Sequence, residues 1–571
     1  MKGSDFLQKL LRTYDINRIF GVLGREAASI TFTEEHSQDF FLVRNELTAG
    51  MAAISASRLT GKPQVCFSTL GPGVTHMATA IGSACQDRNP VLFFSAQLET
   101  PATDYNNAHQ CIDAVSVTRP ITKFASEPTN LEQLAVAIDR AFSKMMQYPL
   151  GPAFISLPID LLDMTASDTL VAKWLSVNQR SIATTSMNTS HAITEDAISK
   201  SIQLLNKSRN PIIIIGDTMT KSPDTVAIKK LVEQLNIPVI TTYSAKGILP
   251  FGHPLYLGSI NSYLDVILES FIQKDIFESV DTILLLGYDM TEHYPNAWNH
   301  GDNKKIININ YFDNETNKSF ISDIKIIGNI TEILQKIVKR TKPRTSINEN
   351  MILVQSKIIE ALNRFMIERS HRGGISIPQI IQAINTTAEA PYDYIVANDI
   401  GTHRHVTATF FAPKLPHYYL TSAGFSSYGT GIGLAIGAAI SQPKKRTFLI
   451  TGDGGFHSNS GDLETIVRNK LPITIIVANN NSNGLIKRYQ LTGRERRQDL
   501  STTEFMQVDF VKLAEANGMQ GQRAATPTRL SKILTSRDYK QPLLIEVPVY
   551  YPDLYINQYA KSWNGEKTII L

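Results

Sequence analysis

At 571 residues the chain has room for about three domains, and its 43% apolar and 19% charged residues are those of a globular protein. A formal net charge of +4 with no Lys/Arg stripe excludes nucleic acid as an implied partner, and no apolar run approaches the ~20 residues of a membrane span. Cys66, Cys85 and Cys111 have neither CxxC nor metal-ligand spacing, and the opening MKGSDFLQKLLRTYDI is an amphipathic helix rather than a signal peptide, so a reducing, cytoplasmic setting is expected.

Short apolar runs recur along the chain, each ending in Gly, Asp or Asn: IFGVLG, VCFSTLGPG, VLFFSAQ, AFISLPID, IIIIGD, VITTY, TILLLGYD, IININ, YIVANDIG, FLITGDGG, IIVANN and LLIEVPV. Helical patterns separate most of them. The alternation predicts an α/β protein whose parallel sheets are buried on both faces and flanked by helices. Ser/Thr-rich residues 176–196 and the stretch KRTKPRTSINEN (339–350) break the rhythm and read as linkers. They divide the chain into domains 1–180, 190–340 and 350–571. The outer two share a loose similarity: ELTAGMAAISASRL from Glu46 and GTGIGLAIGAAISQ from Gly429 are both small-residue helices, suited to close packing.

Towards the C-terminus, the strand TFLI ends at Gly452-Asp453-Gly454-Gly455, residues 459–468 are predicted helical, and the strand ITIIVA ends at Asn479-Asn480. A right-handed crossover between parallel strands puts both loops at one sheet edge, where ligands bind. That edge combines a hard carboxylate, an amide oxygen and glycine N–H groups, a set suited to Mg2+ holding a diphosphate. A second carboxylate would repel the anion that the metal must share.

GDG followed at this spacing by NN resembles the cofactor motif of thiamine-diphosphate-dependent enzymes. The resemblance implies a pyrimidine-binding and a diphosphate-binding domain flanking a middle domain, with thiamine diphosphate and Mg2+ as cofactors. It also implies active sites at subunit interfaces, hence a homodimer or homotetramer. Carried over by motif, the metal ligands are Asp453, Asn480 and the main-chain carbonyl of Ser482. Glu46, in FLVRNELTAG, is the acid that activates the pyrimidine ring, with Asn45 where many relatives carry histidine. Tyr428, in TSAGFSSYGTGIG, is the wedge that bends the cofactor, and main-chain groups at Gly424 and Ser426 face the pyrimidine. Diphosphate contacts fall on Gly401, Thr402, Gly452, Gly454, Gly455 and Asn459, and the STLGPG turn (68–73) faces the pyrimidine half. The middle segment NIPVITTYSAKG (236–247) is typical of the family; some members hold FAD there, which nothing in this segment demands.

Runs outside the cofactor motif resemble the carboxyethylarginine synthase branch, which serves clavulanic acid biosynthesis. They include FGVLGREAASI (20–30), HQCID (109–113), GPAFISLPIDLL (151–162), NIPVITTYSAKGILPFGH (236–253), GDGGFHSNSGDLETI (452–466) and NGLIKRYQ (483–490). That branch joins glyceraldehyde 3-phosphate to the α-amine of L-arginine with loss of phosphate, giving an N-carboxyethyl amino acid. The resemblance places Tyr263 in the active site, and Arg404 with His405 on the phosphate monoester, for which a guanidinium offers paired donors. His109 and Gln110 fall at the carbonyl end, as catalytic donors and proton shuttles. A guanidinium acceptor would want carboxylates, with Asp113 and Glu464 as candidates, whereas Lys487 and Arg488 would repel it if they point inward. An acetolactate-synthase-like enzyme that decarboxylates a 2-oxo acid, and a non-catalytic binding subunit, remain alternatives. The absence of a first-turn GxGxxG disfavours a nucleotide-dependent oxidoreductase.

Overall fold

The computed structural model describes residues 1–25, 40–105, 107–176, 195–221, 225–250, 252–260, 279–295, 304–315, 320–342, 374–388, 393–492 and 500–550, with short pieces at 276–277, 298–299, 344, 355–356, 359–360 and 363. Three six-stranded sheets carry these residues, and all neighbouring strands are parallel. The first sheet comprises β1 (Ile19–Gly21), β2 (Phe40–Leu42), β3 (Gln64–Ser68), β4 (Val91–Gln97), β5 (Phe124–Ser126) and β6 (Ala153–Pro158), in the order β2-β1-β3-β4-β6-β5. The second comprises β7 (Pro211–Ile215), β8 (Val239–Thr241), β9 (Tyr256–Ser259), β10 (Thr282–Leu286), β11 (Lys305–Asn310) and β12 (Ile324–Ile327), in the order β12-β11-β10-β7-β8-β9. The third comprises β13 (Ile395–Asn398), β14 (Tyr419–Leu420), β15 (Thr447–Gly452), β16 (Ile473–Asn479), β17 (Gln520–Arg523) and β18 (Leu543–Pro548), in the order β14-β13-β15-β16-β18-β17.

The first and third sheets therefore share one strand order, which gives the loose similarity of the outer regions a topological basis. The middle sheet has the doubly wound order of dinucleotide-binding folds, with its switch point between β7 and β10. At that point the two strand ends approach closely: a Cβ on Gly216 would lie 2.4 Å from Gly287 O.

Two compact units form. One comprises Met1–Asn188, Gly424–Pro443 and Asn459–Asn469; the other comprises Thr189–Ala423, Lys444–Ser458 and Lys470–Leu571. Most of both linker stretches lies outside the described residues. In the first unit, the helix Glu46–Thr60 packs on Gly431–Ser441, and both are buried along most of their length. A Cβ on Gly437 would fall 2.2 Å from Ala52 O, so this crossing requires the small residues seen in the sequence.

One expectation is corrected. Residues 459–468 are not a continuous helix: a helix Asp453–Ser458 gives way to a 3-10 turn at Ser460–Asp462 and a second helix, Leu463–Arg468. Asn459 leaves helical geometry at φ −132°, and its side chain donates to Gly429 O at 2.8 Å. Among the described residues, no helix is long and apolar enough to cross a membrane.

Candidate active site

In the second unit, β13, β15 and β16 are neighbours, so their C-terminal ends lie side by side. Each end runs into a helix N-terminus: β13 through Asp399–Gly401 into Thr402–Phe410, β15 directly into Asp453–Ser458, and β16 through residues 480–483 into Gly484–Thr492. Gly401 has φ +152°, and a Cβ there would meet the His403 ring at 2.8 Å. A Cβ on Gly455 would stand 2.7 Å from Asp399 Oδ2, which also accepts from Thr451 Oγ1 at 3.2 Å. Only glycine fits at these two positions, which lie at the strand-to-helix turns where helix N-termini can receive phosphate oxygens. Thr402 is buried at the start of its helix, and Gly452 and Gly454 flank Asp453 half-buried.

Asp453 is buried, and its Oδ2 accepts from Ser482 N at 3.1 Å. Burial pushes its carboxyl up to about 6, although the N–H groups of Asp453, Gly454, Ser482 and Asn480 pull the other way. Asn480 comes close enough to Gly484 that a Cβ on the glycine would lie 2.7 Å from its Nδ2. Asn479 turns away into the core, donating to Glu546 Oε1 at 3.0 Å. No cluster of three His, Cys, Asp or Glu that could hold a metal occurs among the described residues. One carboxylate, one amide and main-chain oxygens form a hard, oxygen-only donor set that fits Mg2+ with a diphosphate completing the shell. A buried carboxylate whose charge is disfavoured until a cation arrives supports the same fit.

The same unit gathers a basic cluster next to these strand ends. Arg404 is 9% exposed, and its Nη1 donates to Ser422 O at 3.4 Å. Its Nη2 lies 3.4 Å from His405 Nε2, and Tyr243 Oη lies 3.3 Å from His405 Nδ1. The Arg404 contact makes Nε2 the acceptor, which leaves the proton on Nδ1 facing the tyrosine. His293 stacks edge-on to Tyr243, with ring centroids 4.7 Å apart. Burial first, then Arg404, hold His293 and His403 down at about 3. His405 is pushed well below its ordinary value by burial, then by Arg404, His293, Arg488 and His403. Arg404 and His405 lie on a helix rather than on the strand-end loop itself. Arg488, left open in the sequence, is buried, whereas Lys487 pairs with Glu504 at 2.9 Å. Tyr263 lies outside the described residues.

In the first unit Glu46 opens its helix and is 7% exposed. Asn45, which stands where a histidine was the alternative, is the helix cap: its Oδ1 accepts from Leu47 N at 2.8 Å. His76, on the helix Pro72–Gln86, places Nδ1 3.3 Å from Glu46 Oε2. Sequence reasoning missed His76, although the STLGPG turn just before its helix was the available signal. His109 and Gln110 are exposed, so His109 is not a core histidine. Gln110 holds φ +58°, and Gly71 (φ +46°) makes room for its carbonyl, since a Cβ there would sit 2.3 Å from Gln110 O.

Gly424 N donates to buried Asp87 Oδ1 at 2.6 Å, an anchor that sequence reasoning also missed. Ser426 has φ +53°, and Tyr428 is 44% exposed. Asn459 falls in this unit, hydrogen-bonded to the loop that carries Tyr428. Asp113 caps a short helix through Ser116 N at 2.9 Å, and Glu464 pairs with Arg44 and Arg468 at 2.8 Å each.

Three models of the thiamine pyrophosphate enzymes match the chain: the N-terminal TPP binding domain over residues 1–117, the central domain over 198–337, and the C-terminal TPP binding domain over 399–547. The chain is similar to an acetolactate synthase of Bacillus subtilis, 26% identical over 568 residues, covering 97% of this chain and 94% of the relative. A probable acetolactate synthase large subunit of Methanocaldococcus jannaschii is 27% identical over 560 residues, covering 96% and 92%. The acetolactate synthase isozyme 2 large subunit of Escherichia coli is 24% identical, covering 96% of each chain.

Proposed function

The chain belongs to the thiamine pyrophosphate-dependent enzymes, and on that premise we propose that it is a synthase that transfers a three-carbon unit to an amine, a transferase. In this reading it joins glyceraldehyde 3-phosphate to the α-amine of an amino acid, releasing inorganic phosphate and forming an N-carboxyethyl amino acid. The resemblance to the carboxyethylarginine synthases makes L-arginine the first acceptor to consider. The balance closes without an external oxidant: the aldehyde carbon rises to the acid level while the middle carbon loses its hydroxyl as water and falls to a methylene, the amine takes the place of phosphate on the far carbon, and a water supplies the second acid oxygen.

Bound thiamine diphosphate would supply a nucleophilic carbon and an electron sink at the aldehyde carbon. Asp453, Asn480 and the Ser482 carbonyl would hold Mg2+, and the N–H groups around Gly401, Gly452, Gly454 and Gly455 would receive the diphosphate. Glu46 would give and take a proton at the pyrimidine ring of a cofactor held by a second copy of the chain, in a homodimer or homotetramer. His109 and Gln110, on their exposed loop, would donate to the developing oxyanion and carry protons to and from it.

The observation that carries the phosphorylated donor is the cluster of Arg404, His405 and His293. The buried guanidinium would be the charged donor to a phosphate monoester, and the imidazoles beside it, held neutral, add no excess charge once the ester leaves.

A second reading is an acetolactate-synthase-like carboligase acting on a 2-oxo acid, and the names of the relatives favour it. Supplying glyceraldehyde 3-phosphate or pyruvate separately, with Mg2+ and thiamine diphosphate, tells the two apart. Inorganic phosphate from the first and no CO2 from the second is the expected result. CO2 from pyruvate without phosphate release overturns the proposal in favour of the second reading.

A further inference from the structure

We infer that His76 carries protons between the buried Glu46 carboxylate and the solvent, resetting Glu46 after each exchange with the cofactor. The inference rests on the reading of Glu46 as the acid that serves the pyrimidine ring, and it adds a residue that no motif assigned.

In that role Glu46 must both lose and regain a proton, yet its side chain is only 9% exposed. Such an acid works no faster than its protons are replaced, so it needs a path to water. The neighbouring Asn45 offers none: it is the helix cap, and an amide carries no titratable proton. Cys66, on β3, is a buried thiol that feels the Glu46 charge. Burial first, then Glu46, push it up, so it stays protonated, and its Sγ lies 3.6 Å from Met77 Sδ.

His76 differs from both. It stands early in the helix Pro72–Gln86, and its Nδ1 lies 3.3 Å from Glu46 Oε2. Its side chain is 64% exposed, so the pair runs from a buried oxygen to an open ring. An ion pair with so exposed a partner contributes little to stability, which leaves the contact without much structural purpose. A neutral imidazole has one nitrogen that donates and one that accepts, and can therefore pass a proton across itself. With its proton on Nδ1, the ring donates to Glu46 Oε2 while Nε2 takes a proton from hydronium or a buffer acid. The ring is then the other neutral tautomer. When Glu46 sheds its proton the moves reverse: Oε2 returns it to Nδ1, and Nε2 releases one to water or the buffer base. A full cycle leaves ring and carboxylate as they began. His76 touches no reacting atom in this scheme and acts only through Glu46.

The test loads the full chain with Mg2+ and thiamine diphosphate and follows, by NMR, exchange of the cofactor's C2 proton into deuterated water. That exchange counts a proton only once it has left for the solvent. His76→Asn keeps a donor nitrogen near the place of Nδ1 but cannot relay, and His76→Ala removes both functions. Each should slow exchange roughly 10- to 100-fold, with calorimetric cofactor affinity close to wild type as the check on folding. Imidazole added at fixed pH should speed His76→Ala at least several-fold and leave the wild type unmoved, a response that a merely structural histidine would not give. In cofactor-free protein, the imidazole NMR signals of His76, identified by their loss in His76→Asn, should shift in Glu46→Gln. Wild-type exchange in His76→Asn, no response of His76→Ala to imidazole, or unmoved His76 signals in Glu46→Gln would each overturn the inference and leave the role of Glu46 standing. Wild-type exchange in Glu46→Gln overturns both.

Discussion

Asp453 carries a residue-scale consequence that needs no substrate. Its carboxyl is raised from 3.8 to about 6, mainly by burial, so the fold favours the protonated form. The stability this contributes is full below about pH 4 and is lost as pH rises through about 6, amounting to roughly 3 kcal/mol at neutral pH. Metal-free protein should accordingly show a urea midpoint that falls between about pH 4 and 6.5 and levels off above that; Mg2+ should restore it at the upper end, and Asp453→Asn should flatten the profile. A pH profile in Asp453→Asn identical to wild type would contradict this. Glu46→Gln should leave cofactor affinity within a few-fold and slow exchange of the cofactor's C2 proton by roughly 100- to 10,000-fold, read by NMR. Arg404→Ala should raise KM at least about tenfold for the phosphorylated aldehyde and spare its unphosphorylated analogue. The acids and glycines of the GDG and NN segments could be placed from sequence because their chemistry is tied to strand ends. Arg488 could not: which of two adjacent cations turns inward depends on helix phase, and tertiary packing sets that phase. Nor could the hydrogen bond from Asn459 to Gly429 O, which joins segments far apart in the chain.

At the scale of elements, the apolar runs read from the sequence are the interior strands of the three sheets. The strands that escaped notice are the edges: β2 and β5, β9 and β12, β14 and β17. An interior parallel strand is covered on both faces and reads as continuous apolar sequence, whereas an edge strand is short and mixed, as QGQR in β17 shows. The two small-residue helices were legible for the same reason, since close backbone approach admits only Gly and Ala. Gly437→Ala places a Cβ 2.2 Å from Ala52 O and should cost at least about 1–3 kcal/mol, with a lower thermal midpoint and soluble yield. A variant as stable as wild type would show that the helices can part without penalty.

For the molecule as a whole, the shared strand order of the first and third sheets supports reading them as counterparts, with a differently ordered sheet between them in the sequence. The domain limits were drawn from linker composition, which marks where sheets stop without saying where later segments pack. Gly424–Pro443 and Asn459–Asn469, interleaved in sequence with the third sheet, join the N-terminal unit instead. If Glu46 of one copy serves the cofactor of another, Glu46→Gln and Asp453→Ala chains, each inactive alone, should complement when refolded together. Equal mixing gives one intact centre in half of the dimers, so about a quarter of wild-type activity should return; no recovery in verified mixed dimers would contradict the shared site. The most direct measurement of the account is calorimetric titration of thiamine diphosphate into wild type and Asp453→Ala, with and without Mg2+. Saturable binding by wild type that requires the metal, and its loss in the variant, is the result expected of strand ends that hold a magnesium diphosphate. Equal binding by both proteins, or binding indifferent to Mg2+, would contradict it.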